Sequence, residues 1–166
     1  EAFGSNQGRV DCFGSFTLIN ANFVVASDYS CVFYRYAPGT ISITNGDFIV
    51  GAAGNVWMYA PLTITSGNML LNGFWARVIN FSLITVGGDL RLGICTAFGG
   101  SSYTQFDNWD TTLIAGNLLG YDCVVDGITS YFQQEAGSYV KFGGSVFPPG
   151  NDGILNAAGY SDDVNY

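Results

Sequence analysis

The chain has 166 residues, no histidine, a single lysine, and a net charge of −8 from 13 acids and 5 bases. Charged residues make up 11% and aromatics 16%, against roughly 25% charge in ordinary globular domains. This balance excludes long disorder, removes the imidazole base of a nucleophilic triad, and leaves no basic run for nucleic acid or an anionic membrane surface.

From the N-terminus, residues 1–9 read as an extended arm on one all-β domain spanning 1–166. β-branched and aromatic runs broken by Gly and Asn then predict strands at 16–25, 31–36, 40–44, 47–50, 56–59, 62–65, 69–71, 75–79, 83–86, 89–92, 112–114, 121–125, 128–132 and 139–142. The longest charge-free stretch, 48–76, is cut by Gly54-Asn55, Pro61, Ser66-Gly67-Asn68 and Asn72-Gly73. It therefore predicts several strands and no membrane insertion. Pro148 and Pro149 mark a loop near the C-terminus.

An internal similarity links these strands. Ile43-Thr44-Asn45-Gly46-Asp47-Phe48 matches Ile64-Thr65-Ser66-Gly67-Asn68-Met69, then Ile84-Thr85-Val86-Gly87-Gly88-Asp89, and more weakly Ile114-Ala115-Gly116-Asn117. The isoleucines step by 21, 20 and 30 residues. A step of about 20 fits one coil of a β-solenoid, or two strands of an antiparallel meander. Because the match slips after three units, a β-sandwich or jelly roll is the preferred fold, with a β-solenoid as the alternative.

The four cysteines, Cys12, Cys31, Cys95 and Cys123, lie far apart with no CxxC pair and no histidine to complete a zinc site. They predict two disulfides, Cys12–Cys31 and Cys95–Cys123, in an oxidising, extracellular setting. Asn80-Phe81-Ser82 is a weak glycosylation sequon.

Catalytic chemistry has few candidates. Paired carboxylates could come from Asp107, Asp110, Asp122, Asp126 and Glu135, but the acids are nearly all Asp, a turn former. The expectation is a non-enzyme without cofactor. Calcium is a minor option at Asp107-Asn108-Trp109-Asp110 and Asn151-Asp152-Gly153.

Sparse charge on so aromatic a chain predicts a surface hidden by neighbours. The preferred function is a structural subunit assembling with copies of itself into an extracellular filament, pilus-like fibre or virion shell. Phe3, Val10, Phe16, Leu18, Phe23 and Val25 would form the assembly arm and donor strand. The alternative is a secreted carbohydrate-binding module with a glycan partner. It would use Trp57, Trp75, Trp109, Tyr29, Tyr34, Tyr36, Tyr59, Tyr103, Tyr121, Tyr131 or Tyr139 as a ring platform. A further option is an ice-binding solenoid using Thr44, Thr65 and Thr85, with Thr63 one step off.

Overall fold

The computed structural model describes residues 7–35, 39–72, 75–93, 102–120, 128–147 and 154–157. These form a β-solenoid of three parallel sheets, and the described residues contain no helix. Each of the first five coils contributes one short strand to each sheet. The first coil holds β1 (Gln7–Cys12), β2 (Phe16–Ile19) and β3 (Phe23–Val25). The second holds β4 (Ser30–Arg35), β5 (Ile41–Thr44) and β6 (Phe48–Val50). Next come β7 (Asn55–Met58), β8 (Leu62–Ile64) and β9 (Met69–Leu71), then β10 (Arg77–Asn80), β11 (Leu83–Val86) and β12 (Leu90–Leu92). The fifth coil is β13 (Ser102–Asn108), β14 (Thr111–Ile114) and β15 (Leu118–Leu119). The sixth brings β16 (Ile128–Gln134) and β17 (Tyr139–Phe142), with a bridge from Val146 to Leu118, before β18 (Ile154–Ala157).

Sheet A stacks β1, β4, β7, β10, β13, β16 and β18. Sheet B stacks β2, β5, β8, β11, β14 and β17, and sheet C stacks β3, β6, β9, β12 and β15. This corrects the preferred sandwich. A sandwich is built from antiparallel neighbours, whereas every pairing here is parallel and joins residues one coil apart, as in Ile41 with Leu62 and Leu62 with Ile84. The predicted 16–25 strand is two strands, β2 and β3, in different sheets, with the chain turning at Asn20, whose φ is 55°.

Alternation along each short strand sends one set of side chains inward. The inner columns read Ile41, Leu62, Ile84 and Leu18, Ile43, Ile64, Val86, Ile114, Phe142 in sheet B, and Phe23, Phe48, Met69, Leu90, Leu118 in sheet C. They merge into one core with Phe33, Met58, Phe106 and Phe132. Within it Phe106 and Phe132 stack at 5.2 Å, and Phe23 and Phe48 at 5.4 Å. In the first coil Val10, Phe16, Leu18 and Phe23 are only partly buried against this core, while Val25 is buried. Of the expected arm, residues 7–9 belong to β1 and pair with β4 of the same chain; residues 1–6, with Phe3, lie outside the described residues.

Candidate functional site

The coils present three outer faces of different chemistry. On sheet A, strand register stacks Tyr34, Tyr59, Phe81 and Trp109, one per coil, just beyond the paired residues Phe33, Met58, Asn80 and Asn108. Their ring centroids are 5.6, 4.7 and 6.0 Å apart with interplanar angles of 4°, 7° and 31°. Tyr34, Tyr59 and Trp109 are 38%, 40% and 52% exposed. Rings this parallel, spaced by the strand repeat, spend their faces on one another and turn their edges to solvent. At the first-coil end the Arg9 guanidinium lies 4.5 Å over the Tyr34 ring while its Nε donates to Asp11 at 2.6 Å. Two residues back along the strands, Val32 and Trp57 form a parallel column. A groove of about 420 Å³ runs between the columns, lined by Arg9, Ser30, Val32, Tyr34, Trp57 and Tyr59. The charges farther along this face are internally satisfied: Arg77 Nε donates to Asp107 Oδ2 at 2.7 Å and Gln105 Nε2 to Asp107 Oδ1 at 2.6 Å.

Sheet B faces outward with hydroxyls. Thr17, Ser42, Thr63 and Thr85 align across four consecutive coils. Ile19, Thr44 and Thr65 form the neighbouring column, with Thr44 paired opposite Ile19 and the Thr65 N–H donating to Ile43 O at 2.8 Å. Thr85 therefore stands in line with Thr63, and not with Thr44 and Thr65 as the sequence spacing suggests. Sheet C presents Val24, Ile49, Leu70, Arg91 and Leu119.

The corner between sheets B and C explains the repeat. Asn22, Asp47, Asn68, Asp89, Asn117 and Ser145 occupy one column, and each of the first five accepts from the next residue's backbone N–H at 2.7–2.9 Å. Amides alternate with carboxylates, so no two acids are adjacent. The residue before each is small because the corners nearly touch: a Cβ on Gly67 would run into Gly46 O, and on Gly116 into Asp89 Oδ1.

The opposite corner holds a buried amide ladder, Asn80, Asn108 and Gln134, where the inner column of sheet A turns from apolar to polar. The two N–H groups of Asn80 Nδ2 are shared among Asn108 Oδ1 at 3.0 Å, Thr111 O at 3.1 Å and Thr112 Oγ1 at 3.0 Å, and its Oδ1 accepts from the Ser82 N–H. The nitrogen a glycan would use is thus fully occupied inside the fold. The sequence did not reveal this ladder, because Asn80, Asn108 and Gln134 each look like turn or surface residues.

Cys12 and Cys31 are free thiols, which corrects the Cys12–Cys31 disulfide. β1 and β4 pair with Gly8 opposite Cys31 and Arg35 opposite Cys12. Four residues of strand, about 13 Å, separate them, beyond the roughly 7 Å Cα limit of a disulfide. Burial pushes the Cys31 thiol up to about 11. Burial and then the Asp11 charge also raise Cys12. Cys95 and Cys123 lie outside the described residues, as do Asp122, Asp126, the 151–153 calcium candidate, Tyr36 and Tyr121. Asp107 is buried against Arg77, while Asp110 is exposed. Among the described residues no three His, Cys, Asp or Glu side chains cluster for a metal.

The fold and its faces define a parallel β-solenoid with an aromatic, a hydroxyl-rich and an aliphatic side. Scans of protein-family models, curated proteins and solved structures return no match for the chain.

Proposed function

We propose that this protein is an extracellular structural subunit that associates with copies of itself through the outer face of sheet A. The observation that carries this reading is the ring column of Tyr34, Tyr59, Phe81 and Trp109, exposed at Tyr34, Tyr59 and Trp109 and half-buried at Phe81. Edge-on tyrosines and tryptophans are typical anchors of protein contacts. The ion pairs on this face, Arg9–Asp11 and Arg77–Asp107, are closed within the subunit. Two like faces can therefore meet without burying unpaired ions. The aliphatic column of sheet C offers a second contact. β1, β2 and β3, the outermost strands of their sheets among the described residues, offer edges for strand addition along the axis. The extracellular setting now rests on Cys95 and Cys123, since Cys12 and Cys31 are unpaired.

Light scattering across a concentration series, with negative-stain imaging, tests the reading. The expected result is concentration-dependent growth in mass that Tyr59→Lys suppresses. A folded chain that stays monomeric when concentrated overturns it.

The glycan reading has its own support in Trp57. Among the described residues its indole stacks on no other ring and it lines the groove beside Tyr34 and Tyr59. Tryptophan fluorescence on titration with oligosaccharides, and its loss in Trp57→Ala, would separate this reading from assembly.

A further inference from the structure

We propose that the outer face of sheet B is an ice-binding surface. Thr17, Ser42, Thr63 and Thr85 set one hydroxyl per coil in a straight column, and Thr44 and Thr65 follow Ile19 in a second column beside it. Strand geometry spaces these groups about 4.8 Å along the solenoid and about 6.7 Å across it, a two-dimensional repeat close to that of oxygen rows in hexagonal ice. The five threonines are β-branched and stiff at χ1; β5, β8 and β11 are each fixed between two neighbouring strands and only β2, which carries Thr17, is paired on one side, so little side-chain freedom remains to be lost on binding.

Three observations select ice over other occupants. None of these six hydroxyls has a side-chain hydrogen bond among the described residues, whereas nearby Thr40 donates to Ser15 at 2.7 Å. The lattice is thus open to water. The outward positions of sheet B carry no charge from Thr17 through Leu113, and Lys141 follows only in the sixth coil. Ions would impose their own hydration shells on an ordered water layer. Serine and threonine are also poor anchors for a protein partner, and no aromatic ring stands among these hydroxyls to stack on a sugar. Methyl and hydroxyl groups at a fixed repeat suit a surface that orders water and then freezes to the crystal.

The test uses the full chain in a nanolitre osmometer, with ice-affinity partition as a second readout. Faceted crystals, a gap between melting and growth temperatures, and enrichment in the ice fraction are expected. Thr63→Lys with Thr85→Lys should abolish all three while circular dichroism stays unchanged, and the milder Thr63→Val should weaken them. Tyr59→Lys, on sheet A, should leave them intact, which separates this proposal from self-association. Round crystals with no thermal gap from the folded wild type overturn it. Full activity in the double lysine variant also overturns it, as does loss of oligomers in that variant, which would make the face a subunit contact.

Discussion

Asp89 Oδ1 accepts both N–H groups of Asn117: the backbone one at 2.9 Å and the side-chain Nδ2–H at 3.0 Å. One acid thereby clamps two coils whose corners lie 28 residues apart in sequence. Asp89→Ala strands both donors and frees Arg91, which lies 3.4 Å from Asp89 Oδ2. The expected loss is about 2–3 kcal/mol. A chain of this size should then melt roughly 5–10 °C lower by calorimetry.

The same residue sets a pH response. Partial burial acts to raise the Asp89 carboxyl, but the Asn117 donors and Arg91 outweigh it and hold the group below its ordinary value. A lowered folded value means the unfolded chain binds the proton first. The contribution is therefore complete above the ordinary Asp range and is lost as pH falls through the lowered value. Melting curves should show wild type above Asp89→Asn at neutral pH, with the gap closing below about pH 4.

Glycines at the same corner divide by what they touch. Gly67→Ala pushes a methyl against the Gly46 carbonyl, which is backbone and cannot swing aside. Overpacking of this kind costs about 1–3 kcal/mol or more. Gly14→Ala meets nothing within 4 Å, and a change within about 0.5 kcal/mol is expected in urea unfolding.

Asn80 should behave as a core residue. Asn80→Ala removes the side-chain partner of Thr111 O and of the Ser82 N–H, and leaves Asn108 Oδ1 with the Thr112 hydroxyl alone. About 3 kcal/mol of destabilisation is expected, since each buried orphan costs about 1–3 kcal/mol. Material from a glycosylating host should carry no sugar at Asn80 by mass spectrometry, because the acceptor nitrogen is enclosed.

For the thiols, peptide mapping without reductant should find no Cys12–Cys31 link. Alkylation near neutral pH should spare both residues until the chain is unfolded. Cys12 is buried, and Cys31 is held protonated by a thiol value of about 11. Rapid labelling of the folded chain would contradict this placement.

All-β character was legible in the sequence, and so was a repeat of strand, glycine turn and strand. The register was not. Aligning Ile84 with Ile64 misplaces the fourth coil, because the residue stacked on Ile64 is Val86. The pairs Gly46-Asp47, Gly67-Asn68, Gly88-Asp89, Gly116-Asn117 and Gly144-Ser145 give the true steps of 21, 21, 28 and 28 residues. The longer steps arise where more residues separate β12 from β13, and β15 from β16; this made the repeat look as if it slipped and favoured a sandwich. Strands of three or four residues alternate too briefly to reveal which neighbour they pair with. The aromatic column was hidden for a related reason: Tyr34, Tyr59, Phe81 and Trp109 are unequally spaced, and only the coil register lines them up.

The ladders, corner bonds and ring stacks link a coil chiefly to the coils beside it, so order is passed along this rod like the teeth of a zipper. An end coil can fray while the middle stays closed, and each remaining coil still keeps a partner. Hydrogen exchange should accordingly run as a gradient, with the amides of β7 through β12 the last to trade their protons and those of β1 through β3 among the first. Length, in such a molecule, sets durability: adding a coil lengthens the zipper without altering any tooth already engaged.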